Sequence, residues 1–257
     1  MEKLIISLVQ ANQIWEDKAA NYQNYNRLLG SIPSADLVVL PEMFSTGFSM
    51  NAANLAEEME SSTAIEWLKQ VSLAKNTAIY TSLIIKENGH FYNRGVFVAQ
   101  GEVVAHYDKR KTFGLAGEDK IYTAGNTPVI VNYKGWNIRL QICYDLRFPE
   151  IALNKITDGQ PEYDLLLYVA NWPKRRNVHW NTLLPARAIE NQCFVAGVNR
   201  VGTDANGLTY SGDSVVYDLL GQQLCYSAHQ EQVLTCELSK KELLDNREKL
   251  PFLKDRE

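Results

Sequence analysis

Residues 4–9 and 37–40 are apolar at almost every position, and the stretch between them, over about 17–30, carries Tyr22, Tyr25, Leu28 and Leu29 on one helical face. A strand needs apolar side chains on both faces only where both faces are covered, which is the condition of a parallel sheet packed between other layers. The first forty residues therefore predict two strands of such a sheet, joined by a covering helix.

The pattern then changes. Thr63 followed by Glu66 predicts a helix opened by a capping box, with Ile65, Leu68 and Val71 facing inward. Runs at 78–86, 91–99 and 103–108, separated by Asn88-Gly89 and Gln100-Gly101, predict an antiparallel meander. Lys134-Gly135 predicts a hairpin between 128–133 and 136–143. A helix is expected from Pro149, whose fixed φ suits a first turn, and another over about 179–191. Strands are expected at 164–170, 193–199, 214–217, 223–226 and 233–237, with a last helix over about 239–248. Strands outnumber helices about two to one, and many adjoin short turns, which predicts two mixed sheets face to face with helices outside, a four-layer α-β-β-α sandwich of the α/β class. No linker, low-complexity tract or repeat breaks the chain, so one domain over residues 1–257 is expected.

Composition narrows the partners. The 26 Lys and Arg against 30 Asp and Glu leave a net charge of −4, which gives no long-range attraction to phosphate backbones or anionic lipid. A small molecule is the expected partner, not nucleic acid or membrane. No stretch approaches the ~18 uninterrupted apolar residues of a membrane span, and the start of the chain, with Glu2, Lys3 and Glu16 around a short apolar run, reads as a strand and not a signal peptide. Cys143, Cys193, Cys225 and Cys236 show no C-x-x-C spacing and no adjoining histidine pairs, which signals neither a disulfide framework nor zinc. No P-loop or G-x-G-x-x-G is present. These features predict a cytoplasmic protein with reduced thiols, no metal and no cofactor.

Three reactive side chains follow apolar strands: Glu42 after 37–41, Lys109 after 103–107 and Cys143 after 138–142. Ligands of α/β sheets sit at the carboxyl ends of strands, so the three are candidates to meet in one crevice. Each also has an ordinary alternative, as a surface carboxylate, a solvated lysine and a small core residue. One reaction uses all three. A free thiol is mostly protonated near neutral pH and needs a base and a neighbouring cation to become a nucleophile. A pocket carboxylate can take its proton, and a lysine with a backbone N–H at the strand-to-helix turn can hold the oxyanion formed when sulfur attacks an amide. A Cys-His hydrolase is disfavoured, because none of His90, His106, His179 and His229 lies in a recognisable motif.

The segments LVVLPEMFSTGF, HYDKRKTF and QICYDLRFPE resemble the three signature regions of the nitrilase, or carbon–nitrogen hydrolase, superfamily in order, spacing and flanks, and the likeness continues through GEDKIYTAG, ANWPKRRNVHW, ARAIENQCFVAGVNRVG and GDSVVYDLLG. The resemblance implies the same α-β-β-α sandwich and a homodimer. It implies Glu42 as general base, Lys109 and the Tyr144 backbone N–H as oxyanion donors, Cys143 as nucleophile and Glu118 as a further active-site glutamate, whose alternative is an exposed loop carboxylate. Cys143-Tyr144-Asp145 resembles the amidase branches and not the nitrile-hydrolysing ones. The combination PEMFSTGFSM, ANWP, ARAIENQ, NRVG and YSGDS is most similar to bacterial omega-amidases, which hydrolyse 2-oxoglutaramate to 2-oxoglutarate and ammonia.

An omega-amide of a keto acid carries a carboxylate, which needs a cation or several N–H donors. Arg147, Arg175 and Arg176 are the candidates; the alternatives are pairing of Arg147 with Asp145 or Glu150, and a solvated pair at Arg175 and Arg176. Phe48 and Trp172 either wall the pocket or belong to the core. Two other readings stay open: an N-carbamoyl amine or another short carboxamide as substrate, and a catalytically silent binding or scaffold subunit.

Overall fold

Side chains that alternate along the apolar runs enter two separate cores. The computed structural model describes residues 2–32 and 34–256. Its first half runs β1 (Lys3–Gln10), α1 (Lys18–Gly30), β2 (Leu37–Val39), α2 (Ala52–Leu55), α3 (Thr63–Lys75), β3 (Ala78–Glu87), β4 (His90–Ala99), β5 (Glu102–Asp108) and α4 (Glu118–Ile121). There follow β6 (Ile130–Tyr133), β7 (Trp136–Ile142), β8 (Ile156–Thr157), β9 (Gln160–Pro161) and β10 (Leu165–Ala170). The chain continues with α5 (Asn177–Asn191), β11 (Phe194–Asn199), β12 (Val201–Thr203), β13 (Thr209–Tyr217), β14 (Gln223–Ala228), β15 (Gln232–Ser239) and α6 (Lys240–Lys249).

One sheet has the order β15-β1-β2-β3-β4-β5 and the other β12-β13-β11-β10-β7-β6, with β14 also paired to β13. Each contains three adjacent parallel strands, β1-β2-β3 and β7-β10-β11, with antiparallel neighbours on both sides. Leu4, Ile6, Leu8, Leu37 and Val39 pack with Ile138, Leu140 and Ile142 between the sheets. The intervening side chains Val9, Val38, Ile79, Val96 and Val98 pack outward against Tyr25, Leu28 and Leu29 of α1 and Ile65 and Leu68 of α3. On the opposite face, Trp180, Leu184 and Ala188 of α5 cover the second sheet. That contact requires glycine at position 197, because a Cβ there would lie 2.7 Å from Leu184 Cδ1 and 2.8 Å from a Trp180 ring carbon. Two covered sheets make the four-layer sandwich that the doubly apolar strands predict.

Three local expectations need correction. The cap of α3 is Ser62, whose Oγ accepts from Ile65 N at 3.0 Å and donates to Glu57; Thr63 is already the first helical residue. Pro149 opens only one 3₁₀ turn, Pro149–Ile151. Asn154 diverts the chain there, its N–H donating to Asn191 Oδ1 and its amide to the Tyr163 carbonyl, both at 2.9 Å. The strand expected to reach residue 143 stops at Ile142. The short pairings β8-β9 and β12-β13 escaped the sequence reading because two or three residues carry no periodicity. Among the described residues, no helix is long and apolar enough to cross a membrane.

The cap assignment is testable by denaturant melts. Ser62→Ala should lose about 1 kcal/mol of stability, whereas Thr63→Ala should stay within about 0.5 kcal/mol of the parent; the reverse order would contradict the cap.

Candidate active site

Three strand ends meet between the sheets. Glu42 lies just beyond β2 and Lys109 directly after β5, both in the first sheet, while Cys143 directly follows β7 in the second. Each is fixed through its backbone. Thr81 Oγ1 donates to the Pro41 carbonyl at 2.7 Å, and the Glu42 carbonyl accepts from Asn171 Nδ2 at 2.6 Å and Gln13 Nε2 at 2.9 Å. Lys109 N donates to the Asn93 carbonyl at 3.0 Å, an extension of the β4-β5 ladder. Met43 and Cys143 both hold φ near +45°, the left-handed region that costs a non-glycine residue energy and persists only where surroundings impose it. The reversal at Cys143 turns the chain from β7 into a 3₁₀ turn, Cys143–Arg147, and puts the Tyr144 N–H in its first turn, where backbone donors lack a partner within the helix.

Glu42, Glu118 and Lys109 are all buried. Lys109 Nζ donates to Glu42 Oε1 at 2.8 Å and to both Glu118 oxygens at 2.9 Å. Asn93 Nδ2 joins the same two carboxylates, at 2.8 Å to Glu42 Oε1 and 3.1 Å to Glu118 Oε1. Glu42 Oε2 accepts the Asn171 N–H at 2.8 Å, which leaves that oxygen with a lone pair to spare. Burial alone would lower Lys109, but the charges of Glu118 and Glu42 outweigh it and hold the ammonium well above its usual range. Burial pushes the Cys143 thiol up, the charge of Glu42 pushes it further, and Lys109 only partly opposes them. The resting sulfur is therefore a neutral thiol beside a carboxylate, and its proton must leave as sulfur attacks.

Cys143, Lys109 and Asn171 open into a cavity of about 470 Å³, within the range of small-molecule sites. Every residue that the sequence proposed for substrate binding lines it, namely Phe48, Arg147, Trp172, Arg175 and Arg176, and so does Tyr144, proposed as an oxyanion donor through its backbone. Phe48 lies 5.1 Å under the Lys109 ammonium, and the Tyr144 ring packs on Phe113 and Phe148. Trp172 is both wall and core, its indole N–H donating to the Arg176 carbonyl at 2.8 Å. Arg147 does not pair with Asp145 or Glu150. Its guanidinium stacks 4.6 Å from Trp172 and meets His179 Nδ1 at 3.0 Å, while Glu150 pairs with Lys111 at 3.5 Å. Arg176 is depressed by burial and by the positive charges of Arg175 and Arg147, so an anion entering this wall would be stabilised. Glu118 is not a loop carboxylate at the surface; it sits behind Lys109, outside the cavity lining. Among the described residues, none of the four histidines lines the cavity, and no group of three or more His, Cys, Asp or Glu is placed to hold a metal ion.

A family model described as carbon-nitrogen hydrolase matches residues 5–244. The chain belongs to the carbon–nitrogen hydrolase family. Omega-amidase YafV of Yersinia enterocolitica is 44% identical over 256 residues, covering 99% of this chain and 97% of that protein. The 2-oxoglutaramate amidase of Bacillus subtilis is 33% identical over 225 residues, covering 86% and 85%. The crystal structure of a carbon–nitrogen hydrolase superfamily protein from Xanthomonas campestris, which carries an arsenic adduct in its active site, superposes with a TM-score of 0.97 at 42% identity, covering 100% of this chain and 98% of that one.

In this carbon–nitrogen hydrolase, several cavity and network residues carried no sequence signal of their own. Asn93 lies inside an ordinary-looking strand, and Asn171 stands in a quoted motif without a role. Trp15, Glu16 and Asp204 reach the cavity from distant loops, and Tyr210 from the start of β13. Only the amide of Asn93 between two carboxylates, a contact made in three dimensions, reveals its part.

The neutral-thiol state has a signed consequence. In Glu42→Gln the charge that raises the thiol is gone while burial remains, so Cys143 should ionise at lower pH than in the parent protein. The pH dependence of Cys143 alkylation, read by peptide mass spectrometry, should show the midpoint moving down; a midpoint that stays or rises contradicts the arrangement.

Proposed function

We propose that this protein is an amidase that hydrolyses the terminal amide of 2-oxoglutaramate to 2-oxoglutarate and ammonia through a thioester on Cys143. The observation that carries the reading is the cavity itself, which joins the buried carboxylate–ammonium–thiol cluster at one place to Arg147, Arg175 and Arg176, three guanidiniums without a carboxylate partner among the described residues. An omega-amido keto acid has matching ends, an amide to react and a carboxylate to hold. The names of the Yersinia and Bacillus relatives support the same substrate, and the arsenic adduct in the Xanthomonas active site fits a reactive sulfur in this fold.

Glu42 Oε2 takes the thiol proton as sulfur attacks the amide carbon, so charge passes from carboxylate to substrate oxygen without a free thiolate accumulating. The oxyanion is held by the Tyr144 N–H and by Lys109. At rest Lys109 donates to both Glu118 oxygens; one of these bonds transfers to the oxyanion, while the Phe113 N–H continues to hold Glu118 Oε2. Collapse of the tetrahedral intermediate breaks the C–N bond, and protonated Glu42 gives its proton to departing ammonia. Water then attacks the thioester, Glu42 takes its proton, and expulsion of sulfur returns that proton to the thiol. The reading includes one domain over residues 1–257, a cytoplasmic location, supported by the half-buried free thiols of Cys225 and Cys236, and a homodimer, supported by outward apolar residues Val178 and Ile189 on α5.

Ammonia release from 2-oxoglutaramate tests this directly. Cys143→Ala should abolish it, and Glu42→Gln should lower kcat by about 10²–10⁴-fold. Replacing Arg147, Arg175 or Arg176 by Ala should cost about 10–100-fold in kcat/KM at the residue that meets the carboxylate, with little effect on an uncharged amide of the same length. Full activity in Cys143→Ala would end the thioester reading, and equal activity on charged and uncharged amides would end the keto-acid assignment.

A further inference from the structure

Asp145 is fully buried, does not line the cavity and, among the described residues, has no basic side chain in contact with it. Its carboxylate nevertheless accepts three hydrogen bonds from both sides of the reactive centre. Oδ2 takes the Tyr107 hydroxyl at 2.8 Å and the Ile142 N–H at 2.9 Å, and Oδ1 takes the Lys111 N–H at 3.0 Å. Tyr107 and Lys111 lie two residues before and two residues after Lys109, and Ile142 immediately precedes Cys143. One carboxylate thus ties the segment that carries the ammonium, in the first sheet, to the elbow that carries the thiol, in the second.

We propose that Asp145 is a positioning residue that sets the separation of the Lys109 ammonium and the Cys143 sulfur by clamping the end of β5 to the turn after β7. The inference rests on the reading that these two groups act together. A neutral side chain cannot replace the carboxylate without loss: the two backbone N–H groups only donate and bind different oxygens, so an amide must turn its NH₂ toward one of them, and a protonated acid keeps both only by donating its O–H to Tyr107, which gives up the charge-assisted strength of all three bonds. The clamp is therefore strongest when the carboxyl is ionised. Burial raises its titration to about 6, while the bonds from Ile142, Tyr107 and Lys111 and the charge of Lys109 pull the other way. The other titratable groups facing it are Tyr80 of β3 and Tyr168 of β10, both held protonated far above neutrality by burial.

Cys143 alkylation by iodoacetamide, read at its own peptide across pH 5–8, tests the clamp without reference to the substrate. In the parent protein the rate should include a step as Asp145 ionises. Tyr107→Phe removes a bond that favours the ionised form, so the step should move to higher pH. Asp145→Asn should lose the step and react about 100-fold more slowly above it, as the parent does at low pH. With an amide substrate, both variants should lower kcat and leave KM nearly unchanged, since Asp145 touches no cavity surface. Should Asp145→Asn fail to fold, Tyr107→Phe alone decides. A step at the same pH in Tyr107→Phe as in the parent, or a raised KM with unchanged kcat, would overturn the proposal. Absence of amide hydrolysis by the parent protein would count against the functional reading and leave the alkylation result to judge the clamp.

Discussion

Two carboxylates share one buried ammonium, and the rest of the molecule is arranged so that this cluster can exist. An isolated ion at such depth would cost several kcal/mol, and pairing offsets that cost only when the remaining lone pairs are satisfied. Here Asn93 fills the gap between Glu42 and Glu118, the Asn171 N–H takes the far oxygen of Glu42, and the Phe113 N–H takes Glu118. The donors come from a strand centre, a strand end and a loop, so the cluster is complete only with both sheets in place. Burial and, with it, the extra negative charge keep the sulfur beside the cluster protonated at rest.

The sandwich supplies what a single sheet lacks, namely strand ends that face each other. Ammonium and base come from one sheet and sulfur from the other, so small changes in the packing of the sheets act directly on the chemistry. Contacts that cross between the sheets near this point are short and buried: Tyr80 to the Gln141 carbonyl at 3.0 Å, Tyr107 to Asp145, and Asn171 to Glu42. Left-handed backbone at Met43 and Cys143 directs both chains into the same space.

The fold was legible because it is written in repeated patterns. Doubly apolar strands at 4–9 and 37–40, turns at Asn88-Gly89 and Gln100-Gly101, and the Lys134-Gly135 hairpin all have local causes, and each appears in the structure. Of the site, sequence showed the reactive types at strand ends and, through family likeness, which of them to group. It did not show Asn93, since one polar residue within a strand says nothing about which carboxylates it will meet. Nor did it show that Arg147 lies over Trp172 and leaves Asp145 alone, because both arrangements are compatible with an arginine four residues after Cys143. The cap of α3 was misplaced by one residue for a similar reason: Ser62 and Thr63 are both competent caps, and only the entry path of the chain selects between them.

The charge inventory of the cluster also bears on what happens after the last bond breaks. The proposed substrate arrives with a neutral amide at the cluster and departs with a carboxylate there. Glu42 and Glu118 already compete for the single ammonium of Lys109, so the newborn anion meets a counter-charge that two carboxylates already outweigh. Repulsion at that end, against attraction by the arginines at the other, would tilt the product outward and favour its exit. The same imbalance would discourage a dicarboxylate from re-entering to run the reaction backward.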